Sequence, residues 1–386
     1  MRHRRGPLVA AVVLFLGWTI DSRAQSVPRG VIVDDVKCAG DASQSYAVYV
    51  PSGYTPEKLW NLLIAFHPGA RGRLMVEKYA AAAERYGYIV AGSNTSRNGS
   101  WDVAIAAVRA MSGDLGQRFS VDAERLYVTG LSGGARVAMQ VALGRNNIAG
   151  VIASSAGFPD SQPRSSVSFA VFGTAGTEDF NYGEMRRLDR KLTSPHHLAI
   201  FEGGHTLPPD AVAVEAIEWM ELQAMRSGRR DRDEALIDLL LDKRAARVAS
   251  VVDAAETVHA LEGLVADFEG LRDVSTESAR LKALLRQPDV RTALARERAS
   301  EDAEARMVAE LLDLEAGLPD ESRHAVALMR LRDRLAKIAR AATAADDSPD
   351  RSQARRVLRT IAAGARERVT DEGYRALLEE YAPRGR

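Results

Sequence analysis

Short apolar segments alternate with helical patterns over residues 30–226, and this alternation constrains the fold more than any other feature. The short segments are continuously apolar and rich in β-branched residues, whereas the longer ones repeat apolar residues every three to four positions. Such alternation predicts an α/β fold with a mostly parallel sheet covered by helices on both faces. Strands are predicted at 30–36, 46–50, 62–66, 88–91, 126–129, 150–154, 167–172 and 198–201, and helices at 75–86, 103–119, 135–143, 182–192 and 211–224. The first two strands have no helix between them, so we expect an antiparallel edge.

Residues 227–386 have a different composition, dominated by Ala, Leu, Arg, Glu and Asp with few Gly or Pro. Apolar residues recur there at helical spacing, in one stripe from Val248 to Phe268 and another from Leu328 to Ile338. Breaks are expected near the prolines at 288, 319 and 349. We therefore predict an α/β domain at 25–226 and an all-helical C-terminal domain at 227–386, joined by the charged segment 226–232.

The N-terminus resembles an export signal. A basic start precedes the apolar run 7–20, which is shorter than the roughly 20 residues that span a bilayer, and Ser22-Arg23-Ala24 suits signal peptidase. We predict a signal peptide at 1–24 and a secreted or periplasmic protein; an uncleaved anchor is the alternative. The single cysteine, Cys38, excludes an internal disulfide and a Cys-based zinc cluster. Equal numbers of basic and acidic residues, 52 each, argue against nucleic acid as a partner.

Residues 130–134 read Gly-Leu-Ser-Gly-Gly and fit the pattern G-x-S-x-G. They follow a predicted strand and precede a predicted helix, which is the strand–turn–helix context of a nucleophile elbow. The glycines suit a turn that is too crowded for a Cβ atom. This context predicts that Ser132 is a nucleophile.

A serine hydroxyl needs a base to take its proton, and His205 is the candidate. It follows the strand 198–201, so it should lie at the same sheet edge as Ser132, whereas the other histidines lie elsewhere or precede the nucleophile. The acid should fall between serine and histidine in the chain. Asp179 is the predicted acid, with Glu178 and Asp160 as competitors.

An oxyanion formed at an attacked carbonyl needs two N–H donors. Gly133 should supply one, and the loop after the strand 62–66 the other. Pro68 has no N–H, so Gly69 or Ala70 must donate; Gly69 is our assignment, and His67 is expected to structure the loop. Trp101 is a candidate for the wall of a substrate pocket, although a packing role is an equal alternative.

The strand with its His-x-Gly loop, the segment 120–134 and Gly203-Gly204-His205 together resemble the α/β-hydrolase fold. Over residues 30–226 the chain is similar to secreted esterases related to polyhydroxybutyrate depolymerases and to feruloyl or acetyl xylan esterases. Two features depart from those esterases. The loop reads His-Pro-Gly where they usually show His-Gly, and Ser132 and Asp179 are too close in sequence for a large lid.

The resemblance implies a secreted serine hydrolase that cleaves small or polymer-linked carboxylic esters through an acyl-enzyme, with no metal or organic cofactor. One alternative is a peptidase of the prolyl-oligopeptidase type, although the chain lacks room for a gating domain before the core. Another is a scaffolding protein with a vestigial hydrolase core. The helical domain is expected to mediate self-association or to bind a protein partner, and a chain that ends near Arg226 is expected to fold and remain active.

Overall fold

The computed structural model describes residues 27–160, 162, 164–344 and 349–382. The predicted signal peptide lies outside these residues. The first part of the chain folds as β1 (Ile32–Cys38), β2 (Asp41–Tyr49), β3 (Trp60–Phe66), α1 (Gly72–Tyr86), β4 (Tyr88–Ser93), α2 (Trp101–Arg118), β5 (Val121–Leu131), α3 (Gly133–Leu143), β6 (Ile148–Ser154), β7 (Ala170–Gly176), α4 (Tyr182–Lys191), β8 (His196–Phe201) and α5 (Asp210–Arg226).

The eight strands form one sheet in the order β1-β2-β4-β3-β5-β6-β7-β8. β1 and β2 pair antiparallel, which confirms the predicted edge, and β2 also pairs antiparallel with β4. All later pairings are parallel. Apolar side chains of α1 and α5 cover one face, and those of α2, α3 and α4 cover the other. The α/β class predicted from the alternating pattern is therefore confirmed.

The strand predicted at 167–172 was placed too early. β7 spans Ala170–Gly176, and every one of its residues is buried. The predicted strand ended at Phe172, before Gly173, and a glycine in the interior of a strand weakens it. Here the absence of side chains is required at Gly176, where a Cβ atom would lie 2.3 Å from the backbone oxygen of Gly203.

The rest of the chain is helical, as predicted. It comprises α6 (Glu234–Ser250), α7 (Ala254–Phe268), α8 (Ser275–Leu284), α9 (Pro288–Glu315), α10 (Glu321–Ala342), α11 (Pro349–Arg368) and α12 (Glu372–Tyr381). The breaks near the three prolines are confirmed. Leu331 and Leu335 are fully buried on α10, in a core shared with α9, α11 and α12. Within the described residues, no helix is long and apolar enough to cross a bilayer.

The stripe from Val248 to Phe268 is divided between two helices. The helical structure is interrupted between Ser250 and Ala254, and Val252 in this interruption is 97% exposed. Asp253 caps the second helix by accepting hydrogen bonds from the N–H groups of Ala255 and Glu256. An aspartate that satisfies orphan donors in this way favours a new helix start over continuation.

Helix α5 joins the two parts of the chain. Its C-terminal side chains Leu222 and Met225 share a core with α6, α7 and the segment after α7. The buried Trp219 donates its indole N–H to Asp267 of α7 at 2.6 Å.

The same helix carries buried carboxylates that pair with α6. Glu215 pairs with Arg244 and Arg247, and Glu218 pairs with Lys243. A chain ending at Arg226 would leave these glutamates without their basic partners on α6 and would expose the apolar side chains of α5. The expectation that such a chain folds unchanged therefore conflicts with this junction, because unpaired carboxylates and uncovered apolar side chains both destabilise.

The contact of α7 with α9 predicts a pH-dependent stability. Hydrogen bonds to the carboxylates of Glu262 and Glu297 raise the pKa of His259 to about 9. The folded state therefore binds a proton more tightly than the unfolded chain, whose histidines titrate near 6.5. The stabilisation is fully present below about pH 6.5 and is lost as the pH rises through about 9. Melting temperatures of the wild type and His259→Gln should differ most at pH 6 and converge above pH 9; a difference that is constant with pH would contradict this assignment.

Candidate active site

Ser132 occupies the tight turn between β5 and α3. Its backbone angles are φ 54° and ψ −121°, a region that costs a residue with a Cβ about 1–3 kcal/mol. The Ser132 N–H donates to the carbonyl of Ser154 at 2.8 Å, and its carbonyl accepts from Ala135 at 2.9 Å. The turn is therefore tied to the neighbouring strand β6 and to the first turn of α3, so that the strained conformation is held in place.

The glycines on either side of Ser132 are sterically required. A Cβ atom on Gly130 would lie 2.2 Å from the backbone of Gly134, and one on Gly134 would lie 2.2 Å from the carbonyl oxygen of Phe66. Neither contact is compatible with a side chain, because both neighbouring atoms are backbone. The crowding expected from the G-x-S-x-G pattern is present.

The structure brings His205 and Asp179 into direct contact. His205 Nδ1 lies 2.8 Å from Asp179 Oδ1, and the backbone N–H of Asn181 donates to the same oxygen at 2.8 Å. The Asp179 side chain is fully buried, and that of His205 is 20% exposed. The ring of Phe180 stacks on the imidazole with its centroid 3.8 Å away. The imidazole is thus oriented by a carboxylate on one edge and an aromatic face on one side.

The loops that carry the acid and the base contact each other and the end of β6, the strand next to β5. The N–H of Glu178 donates to the carbonyl of Gly203 at 2.8 Å. Ser155, directly after β6, reaches the loop of His205 through a 3.5 Å contact of its hydroxyl with the carbonyl of Thr206. In the described residues, no hydrogen bond joins Ser132 Oγ to His205. Such bonds are often long in a free hydrolase and tighten with substrate.

The competing carboxylates are engaged elsewhere. Glu178 is paired with Arg355 and Arg359 of α11. Asp160 is paired with Arg164 in the loop after β6. Neither carboxylate contacts His205, so Asp179 is the acid that the geometry favours.

The assignment of Gly69 as an oxyanion donor needs a correction. Its N–H donates to His67 Nδ1 at 2.9 Å, and the N–H of Ala70 donates to the His67 carbonyl at 3.1 Å. Burial and the nearby Arg71 lower the pKa of His67, which favours the neutral imidazole that this acceptor role requires. His67 structures the loop as expected, but in doing so it accepts hydrogen bonds from the N–H groups of Gly69 and Ala70, the two candidate oxyanion donors.

Asn98 is a polar residue at the elbow that the G-x-S-x-G pattern did not predict. A Cβ atom built on Gly133 would lie 1.8 Å from the Asn98 side-chain oxygen, so the carboxamide rests directly on the residue that follows the nucleophile. Its backbone N–H donates to the Pro68 carbonyl at 2.9 Å, which fixes this loop against the one that follows β3. The two ends of a carboxamide exchange by rotation, so the NH₂ group can face the same place.

Trp101 begins α2 and is 43% exposed. It lines a groove of about 320 Å³ between α2 and α3, together with Ile105 and Val108 on one side and Val137 on the other. Neither Ser132 nor His205 is among the residues that line this groove. The place of Trp101 in a substrate pocket therefore stays a prediction.

This strand order, with a G-x-S-x-G turn between a central strand and the following helix, defines the α/β-hydrolase fold. A feruloyl esterase module from Clostridium thermocellum complexed with sinapinate has 16% identity and a TM-score of 0.36; 51% of this chain and 89% of the module are covered. A Bacillus cereus carboxylesterase has 16% identity and a TM-score of 0.38, with 48% and 96% covered. Dipeptidyl peptidase 4 of Porphyromonas gingivalis has 15% identity and a TM-score of 0.38, with 50% and 35% covered. The chain matches no protein-family model and no curated protein.

Proposed function

We propose that the protein is a serine hydrolase that cleaves carboxylic esters through an acyl-enzyme. The observation that carries the proposal is the 2.8 Å contact between His205 and the buried Asp179, beside an elbow that holds Ser132 in a strained conformation. A buried carboxylate against one imidazole nitrogen leaves the other nitrogen free to act as a base.

In this mechanism Ser132 Oγ attacks the ester carbonyl while His205 takes its proton. The tetrahedral oxyanion then collapses, the bond to the alcohol breaks, and His205 returns the proton to the departing alkoxide. A water molecule repeats the sequence on the acyl-enzyme and releases the acid and the free serine. Asp179 stays ionised throughout, holds the Nδ1–H tautomer and stabilises the imidazolium.

The oxyanion is assigned to donors from two segments, the first turn of α3 and the loop before α2. Gly133 lies in the first turn of α3, where N–H groups have no partner within the helix. The carboxamide of Asn98 lies against this residue and takes the role first given to Gly69. It is supported by the contact with Gly133 and by the engagement of the Gly69 N–H with His67.

Replacement of Asn98 by Ala should lower kcat by about 10²- to 10³-fold with a smaller change in KM, since an oxyanion donor acts mainly in the transition state. Asn98→Asp is the matched variant, because it keeps the shape and removes the N–H donor. Kinetics on a nitrophenyl ester test both. If both variants stay within twofold of the wild type, the second donor belongs to the loop 67–70 instead.

The substrate is proposed to be a soluble or polymer-end ester with an apolar group next to the carbonyl. The groove beside Trp101 supports this choice, and between β6 and β7 the described residues form no helix that could serve as a lid. A panel of acetyl, butyryl and feruloyl esters and a matched series of peptide substrates tests the reaction type. Faster cleavage of peptides than of esters would favour the peptidase alternative, and no turnover of either would favour a vestigial core.

Export is also a proposal, and it rests on the N-terminal pattern. Cleavage after Ala24 should give a mature protein that begins at Gln25, which N-terminal sequencing of secreted or periplasmic material would detect. A partner for the helical region, whether another protein or a second copy, stays a prediction.

A further inference from the structure

Helix α11 contacts the loop that carries Asp179. Arg356 donates to the carbonyl of Thr177 at 2.7 Å, Arg359 to the carbonyl of Glu178 at 2.8 Å, and the hydroxyl of Thr360 to the carbonyl of Phe180 at 3.0 Å. Three backbone carbonyls around the acid therefore accept hydrogen bonds from one helix of the C-terminal region.

The N–H groups of the same loop are bound from the opposite side. Thr177 donates to the carbonyl of Phe201, and Glu178 donates to that of Gly203. The end of β8 and the loop after it therefore accept hydrogen bonds from N–H groups of the acid loop, whereas α11 donates hydrogen bonds to its carbonyls. Without α11, these three carbonyls would lose their donors.

Arg359 contacts both catalytic loops. One of its nitrogens lies 2.9 Å from the Glu178 carboxylate, where Arg355 also pairs. A Cβ atom built on Gly204, the residue before His205, would lie 3.3 Å from the Arg359 guanidinium. The side chain thus fills the space where the acid loop meets the base loop.

Helix α11 is itself anchored. Val357 and Ile361 are buried in the core formed with α9, α10 and α12. Arg356 donates to the carboxylate of Glu304 of α9 at 3.1, 2.9 and 2.6 Å. A helix fixed in this way can transmit the position of the bundle to the loop.

We propose that α11 positions the Asp179 loop, with Arg359 and Thr360 as positioning residues, so that the helical region is required for full catalytic turnover. The inference rests on the proposed function insofar as its readout is catalysis. It assigns the C-terminal region a role within its own chain, through contacts with loop carbonyls. Arg359 and Thr360 touch no reacting atom; they act through the orientation of Asp179 and hence of His205.

Kinetics of three variants in the full-length protein test the proposal. Thr360→Val is isosteric and removes only the hydrogen bond to the Phe180 carbonyl. Arg359→Ala removes the contacts of the guanidinium with the carbonyl and the carboxylate of Glu178. Arg359→Lys restores a positive charge and a hydrogen-bond donor. Misplacing a catalytic group by about 1 Å can cost on the order of 10²-fold. We expect Arg359→Ala to lose 10- to 100-fold in kcat with little change in KM, Thr360→Val a smaller loss of the same kind, and Arg359→Lys a partial rescue. Arg334→Ala is the control, because it breaks an exposed ion pair between α10 and Glu310 of α9.

A second measurement does not depend on turnover. The proton shared by His205 Nδ1 and Asp179 should give a downfield NMR resonance in the wild type and in Arg334→Ala, and it should broaden or shift in Arg359→Ala. Unchanged kcat and an unchanged resonance in folded Arg359→Ala and Thr360→Val would overturn the proposal. If the wild type cleaves no ester, the proposed function fails, and the resonance alone decides whether α11 positions the loop.

Discussion

Ser132→Ala is expected to lower ester hydrolysis by about 10⁶-fold, as removal of the nucleophile does in other triad hydrolases. The variant should remain folded. It loses one hydroxyl, whereas the strained turn is set by backbone hydrogen bonds and by the two crowded glycines. Steady-state kinetics and a melting curve on the same sample measure both properties.

Ser43→Ala is the matched control, since Ser43 is an exposed serine of β2 whose hydroxyl donates to the nearby Asp41. It should keep wild-type turnover. Activity above about one per cent in folded Ser132→Ala would exclude this residue as the nucleophile.

Asp179→Asn is expected to lower kcat by about 10⁴-fold while the loop keeps its shape. An amide at this position can donate to His205 Nδ1, which favours the tautomer with its proton on the nitrogen that should act as the base. The buried site strengthens the effect, because no solvent competes for the imidazole edge.

Two isosteric variants test whether a competing carboxylate, and not Asp179, is the catalytic acid. Glu178→Gln should weaken the contact with Arg355 and Arg359, and therefore cost less than Asp179→Asn. Asp160→Asn should have little effect, since Asp160 forms only a surface pair with Arg164, and such exposed pairs contribute little. A larger loss in either variant than in Asp179→Asn would move the acid to that residue.

The elements that periodicity specifies were predictable. Buried parallel strands and amphipathic helices have distinct repeats, and the short sequence between β5 and α3 has a steric requirement that only glycine meets. The end of β7 was missed because its last residues are small. Gly176 packs against the Gly203–Gly204 backbone, and no local pattern in residues 173–176 reports that contact.

The interactions between distant segments were the least predictable. Asn98 lies in the loop before α2 and Gly133 begins α3, and an Asn-Gly-Ser sequence before a helix is equally typical of an ordinary helix start. The hydrogen bond from the Gly69 N–H to His67 Nδ1 depends on the orientation of the His67 ring. The contact of α11 with the acid loop joins residues about 180 positions apart in the chain. A stripe of arginines on a helix predicts a solvated face unless the docking surface is known.

Labelling with a fluorophosphonate probe tests the central claim most directly. The serine oxygen displaces fluoride from phosphorus and forms a stable phosphonyl ester, so only a serine activated by its surroundings reacts quickly. We predict one adduct per chain, mapped by mass spectrometry to the peptide that contains Ser132, with no adduct in Ser132→Ala and much slower labelling in His205→Ala. An adduct on a different serine, or a folded wild-type protein that stays unlabelled, would contradict the account.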